Sequence, residues 1–183
     1  MPTWTWGLSW SWVLWNLAGF AGALVVNCFI EWGAHKFVMH RLNWLIPYGY
    51  KHTTSHHAVY GADETYHTLR PEMLEHGIGF TVKEYCLFPL FCSLLYAPAE
   101  WLIGRPIYVG AIAAVFAGLI AFDVLHRRFH NPRDTWFQRT WAFRFLKEHH
   151  KMHHADMSVN LNVVCPAADL LLGTLRLKRD SRQ

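Results

Sequence analysis

The sequence predicts an all-α integral membrane protein, about three transmembrane helices bearing a cytoplasmic helical cap. Three observations predict it: three long apolar runs, a one-sided distribution of Lys and Arg, and thirteen histidines kept out of the apolar runs. At 183 residues the chain has the length of one domain, so 1–183 is read as a single unit. Hydrophobic residues make up 52% and aromatic residues 16%, with ten Trp, heavy for a soluble domain of this size.

The first run, Trp10 to Ile30, is 21 residues without a charge. At about 1.5 Å per residue it spans roughly 30 Å, the thickness of a hydrocarbon core. It lacks the basic flank and small-residue cleavage site of a signal peptide and is expected to be retained. The second run, Tyr85 to Leu102, contains Pro89 and Pro98, with Glu100 near enough to its end to reach the interface. The third, Ile107 to Phe122, continues through Asp123 into a longer helix, and Pro106 suits its first turn, where a missing N–H costs nothing. Membrane helices are therefore expected over about 10–34, 84–103 and 106–130, leaving 35–83 and 126–183 as the cap.

Orientation follows from charge. No Lys or Arg precedes Lys36, and of seventeen only Arg105 sits in the loop between the second and third runs. The positive-inside rule makes the side bearing the others cytoplasmic, so the N-terminus is expected outside, with Lys51, Arg133 and the C-terminus inside. Trp4, Trp6, Trp10 and Trp12 form an outer aromatic belt, matched by Trp101. The net charge of +4 then describes a face lying on anionic headgroups, and no nucleic-acid partner is expected. A buried helical protein with apolar core helices is the alternative, and it leaves the charge asymmetry unexplained. Cys28, Cys86, Cys92 and Cys165 form no CxxC and are read as reduced thiols without a metal or disulfide role.

Eleven of the thirteen histidines form two blocks, "HKFVMHRLNWLIPYGYKHTTSHH" and "HRRFHNPRDTWFQRTWAFRFLKEHHKMHH", each just past an apolar run. His126 and His130 are four apart and share a helix face, as do His150, His153 and His154 at i, i+3 and i+4. His52 and His56 repeat the four-residue spacing, and His57 projects about 100° from His56. His35 and His40, five apart, diverge by about 140° on an α-helix, which suits two metal centres better than one. Neutral imidazole is the commonest side-chain ligand and serves Fe, Zn, Cu and Ni. One ion takes about three to six ligands, so ten imidazoles at such spacings imply two ions. Glu31 lies one turn before His35 and Asp123 three residues before His126. Each carboxylate is expected to hold the free N–H of a neighbouring ligand imidazole, which would repay the cost of its place near a membrane.

His35-x4-His40, His52-x3-His56-His57, His126-x3-His130 and His150-x2-His153-His154 resemble the histidine boxes of the fatty acid hydroxylase and sterol desaturase superfamily, integral membrane di-iron enzymes. The tail "NLNVVCPAADLLLGTL" resembles that family's too, with Asn162, Pro166, Asp169, Gly173 and Thr174 at similar intervals. The resemblance runs from about Glu31 to Leu175. It implies that those ten histidines ligate two Fe ions, with Zn able to substitute. His67 is a further candidate ligand, whereas His149 faces about 100° from His150 and is placed beside the ligands or at the surface. His76 is expected to play no part.

The resemblance further implies O2-dependent hydroxylation of an unactivated C–H bond in a membrane lipid or fatty acyl chain. "HKFVMH" resembles the box of small carotenoid ring hydroxylases, which keeps a carotenoid ring hydroxylase, or a lipid or sterol desaturase, as the alternative. No nucleotide-binding glycine fingerprint or Ser/His/Asp arrangement occurs, and electrons are expected from an external ferredoxin or cytochrome with its reductase. A membrane metal-binding or transport protein is the non-enzymatic reading. A transporter would bury polar ligands near mid-membrane, and the cores of the three apolar runs are read as holding none.

Overall fold

A computed structural model describes residues 9–40, 52–67 and 79–177. Trp4, Trp6, Lys51 and His76 lie outside the described residues. Among the described residues, regular structure is helical throughout and no strand occurs. Three helices are long and apolar enough to cross a membrane: α1 (Trp10–Ala34, prolonged by a π-turn to Met39), α2 (Val82–Ile103) and α3 (Tyr108–His130). Two shorter helices follow, α4 (Trp141–Ala155) and α5 (Ala167–Leu171). The chain divides into two compact units, residues 1–27 with 81–119, and residues 28–80 with 120–183.

In the first unit, polar side chains tie apolar helices together where backbone approaches backbone. Asn16 donates to its own helix at Trp12 O (3.0 Å) and accepts the Gly110 N–H (2.8 Å), where a Cβ on residue 110 would run into the Asn16 carbonyl. Tyr96 donates to Asn27 Oδ1 (2.9 Å), and Glu100 accepts the Tyr108 N–H (2.6 Å), one of the amides a helix start leaves unpaired. α2 begins on a capping box, Thr81 with Glu84, and stops at Gly104, whose φ of 67° is left-handed. The Ser93 hydroxyl donates to the Pro89 carbonyl one turn back at 2.8 Å. Outward, α2 presents Leu90, Phe91, Leu94, Trp101 and Leu102.

The second unit is built around an aromatic and aliphatic core of Met39, Tyr66, Phe122, Leu125, Phe129, Phe143 and Val163. α4 is capped by Thr140, whose Oγ1 accepts the Phe143 N–H at 3.3 Å. One face of α4 carries Phe143, His149, His150 and His153 inward. Two π-turns, His35–Met39 and His52–His56, belong to this unit, and both carry histidines. Such turns are rare and concentrate at functional sites.

Candidate metal centre

Two sets of five imidazoles converge in the second unit. The first is His35, His40, His52, His57 and His153; the second is His56, His126, His130, His150 and His154. Within each set one ligand atom per residue lies within 4.8 Å of all the others. The sets adjoin, with the His57 and His154 rings 4.3 Å apart and the His52 and His56 rings stacked at 5.0 Å. His40, His57 and His154 are half-buried and the other seven are buried.

The π-turn explains how residues five apart join one set. In the π-turn the His40 N–H bonds to His35 O at 3.2 Å, an i→i+5 closure that puts the two residues one above the other. Their rings stack at 4.8 Å and 10°, so the divergence expected on an α-helix does not occur. Conversely, His52 and His56, four apart, serve different sets, as do His153 and His154, adjacent on α4.

Hydrogen bonds fix which nitrogen faces inward. A carbonyl oxygen only accepts, so four rings must carry their proton on Nδ1: His35 to Leu161 O (2.5 Å), His153 to Val159 O (2.9 Å), His130 to Tyr66 O (2.9 Å) and His154 to Tyr60 O (2.5 Å). Each then points an Nε2 lone pair into its set. The lone pairs of His130 and His154 both face His150 Nε2, at 3.2 and 3.1 Å, and a single N–H there can satisfy only one of them. Other inward pairs are His35–His52 at 3.1 Å, His40–His153 at 3.0 Å, His57–His52 at 3.3 Å, and His56 with His126 and His154 at 3.1 Å each. Two nitrogens about 2.1 Å from one ion stand about 3.0 Å apart at a right angle and about 3.4 Å at the tetrahedral angle. The observed separations match those of ligands around one ion, and a cation held there would resolve lone pairs that otherwise oppose one another.

Burial keeps the rings neutral. Desolvation, the largest cause, holds His40 down to about 4 and His154 down to about 3, and with the neighbouring imidazoles it places His52, His56, His57, His150 and His153 well below the ordinary histidine range. At neutral pH each presents a lone pair, which a metal needs. Buried Nδ1 atoms on His40, His56 and His150 have no protein partner, so no hydrogen bond on that side fixes their tautomers. The residues fit a nitrogen-preferring transition metal in each set: five imidazoles, with no thiolate or carboxylate among them.

The remaining candidates fall outside the two sets. His67 is exposed, its ring 5.0 Å from that of Tyr66. His149 is buried with Nε2 3.3 Å from Asp169 Oδ2. Glu31 does not hold the His35 imidazole; it accepts the main-chain N–H groups of Val163 (2.5 Å) and Val164 (3.3 Å). Asp123 accepts from Arg127 Nε (3.0 Å) and the Phe80 N–H (3.3 Å) instead of an imidazole. The i, i+4 register offers it a guanidinium on its own helix, and with Arg127 51% exposed that pair adds about 0–1 kcal/mol. Of the tail residues, Asn162 and Asp169 are fully buried and Pro166 sits just ahead of α5. Sequence reading missed the carbonyls of Tyr60, Tyr66, Val159 and Leu161, because a main-chain acceptor leaves no mark in residue identity. No protein-family model, curated protein or solved structure matches the chain.

Proposed function

We propose that this chain is a membrane di-iron oxygenase that hydroxylates an unactivated C–H bond of a lipid or fatty acyl chain with O2. The observation that carries the reading is the pair of adjoining five-imidazole sets, each with its lone pairs aimed inward. Five nitrogens leave one position of an octahedral ion open, which favours iron and an exogenous ligand over a closed structural zinc site. The bound irons would supply O2 activation. The reaction consumes O2, two electrons and two protons and yields the alcohol and water.

The chain's own part is ligation, orientation and exclusion of water. Neutral rings with fixed tautomers bind without a proton having to leave first. The half-buried edge at His40, His57 and His154 is the side from which O2 and substrate reach the ions. His126 and His130 occupy the last turns of α3 and His35 follows α1, so the ligands stand at the ends of helices apolar enough to cross a membrane. A lipid arriving laterally suits that placement, with a carotenoid ring as the second choice. Electrons come from an external ferredoxin or cytochrome, and the one-sided basic residues favour a cytoplasmic face that attracts an acidic donor. Ligands at helix ends also weigh against transport, which places them near mid-membrane on broken helices.

Membranes containing the chain, a reductase system, candidate lipids and isotopically labelled O2 test the reading. The expected product is heavier than its substrate by one labelled oxygen atom. A product lighter by two hydrogens, with the label only in water, would mean desaturation and overturn hydroxylation.

A further inference from the structure

Residues 161–164 present four successive main-chain amides, and each donates to a carboxylate. Leu161 and Asn162 N–H reach Asp169 Oδ1 and Oδ2, both at 2.8 Å, while Val163 and Val164 N–H reach Glu31 Oε1 at 2.5 and 3.3 Å. Leu161 O, in the peptide whose Asn162 N–H Asp169 holds, takes the His35 Nδ1–H; Val159 O, two residues before the stretch, takes the His153 Nδ1–H, its own peptide tied through the Asn160 N–H to Thr174 O at 3.0 Å. Asn160 makes the bend between these two carbonyls at a φ of 53°, unusual for a residue with a side chain. Its amide closes the bend, donating to His149 O and Arg176 O at 3.0 Å each and accepting the Arg176 N–H at 2.7 Å. Asn162 adds a strut to α1, Nδ2 to Cys28 O at 2.8 Å.

Asp169 is wholly buried, so its charge must be met by donors. Besides the two amides it receives the Thr174 hydroxyl at 2.6 Å and lies 3.3 Å from His149 Nε2. Burial pushes its pKa up, and these hydrogen bonds outweigh that and hold the carboxyl below its ordinary value.

We propose that Asp169, seconded by Glu31, is a clamp that positions the two carbonyls holding His35 and His153, and so governs metal affinity at the first set alone. The second set draws its fixed N–H partners from Tyr60 and Tyr66, which the clamp does not touch. These are positioning residues, acting through the backbone. The inference rests on the dimetal reading.

The full chain in detergent, titrated with Zn(II) against a competing chelator, tests it. Each set is isolated first, His130→Ala leaving the first set intact and His35→Ala leaving the second. Adding Asp169→Asn is expected to weaken binding by roughly 10–100-fold in the His130→Ala background, the range for losing a ligand's supporting partner, and to leave the His35→Ala background unchanged. Equal weakening in both, or none in either, overturns the clamp. Should Asp169→Asn fail to fold, Thr174→Val removes one bond to the same carboxylate; a smaller loss confined to the first set supports the clamp, and a loss shared by both sets overturns it. A wild-type chain that takes up no metal would sink the dimetal reading and the clamp with it, whereas a wild-type chain with two ions and an unaltered Asp169→Asn variant sinks the clamp alone.

Discussion

Replacing His154 by Ala is expected to abolish product formation and strip one of the two metals. Its Nε2 stands 3.1 Å from both His150 and His56, and its ring lies 4.3 Å from His57 of the other set, so the proposal makes it both a ligand and a join between sets. Removing it leaves the second set short of a ligand at its half-buried edge, where water can enter and compete. Metal analysis should fall from about two ions per chain to about one, since the first set keeps all five of its imidazoles. His67→Ala is the matched control: an exposed imidazole outside both sets, whose loss should leave metal content and turnover intact. A His154→Ala chain that retained both ions and full turnover would contradict the assignment.

Phe129→Ala carries the largest expected stability effect. Phe129 is fully buried, 5.3 Å from the Phe143 ring and 5.5 Å from that of the ligand His150, so the change opens a cavity against the second set. A buried Phe→Ala change costs about 3–5 kcal/mol, through lost transfer free energy and the void left behind. Chemical or thermal unfolding of the metal-free chain in detergent measures it, which separates packing from metal stabilisation. Trp141, 74% exposed, supplies the comparison: Trp141→Ala should shift the midpoint far less. Equal effects from the two would remove Phe129 from the core.

The three long apolar helices were the most legible part of the molecule, because an uncharged run long enough to span a bilayer has few other uses. α1 begins at Trp10 and α3 ends at His130, limits that apolar patterning and the following polar block had already marked. The gathering of histidines was legible from their spacing, but the division between the two sets was not. That division depends on π-turns at His35–Met39 and His52–His56, which change which residues share a face, and on α4 splitting His153 from its neighbour His154. Helical arithmetic assumes a constant pitch, and here the pitch changes at the ligands.

The carboxylates show a second limit. Glu31 and Asp123 stand one turn or less from a ligand, and proximity along a helix made an imidazole the natural partner. Glu31 instead reaches amides more than a hundred residues away in sequence, and Asp123 finds Arg127 one turn along its own helix. The tail motif resembled a family pattern without declaring a purpose. In the structure Asn162, Asp169 and Thr174 bond to one another, and Asp169 takes the Leu161 and Asn162 amides.

The central claim is that two ions sit in two sets of five imidazoles. Elemental analysis of the full chain, purified without chelators and shown to be folded, tests it most directly. The account predicts about two transition-metal ions per chain, iron in the active form, with Zn able to take its place because imidazole discriminates weakly between them. A well-folded chain that holds one ion or none, and takes up no more when iron or zinc is supplied, would contradict it.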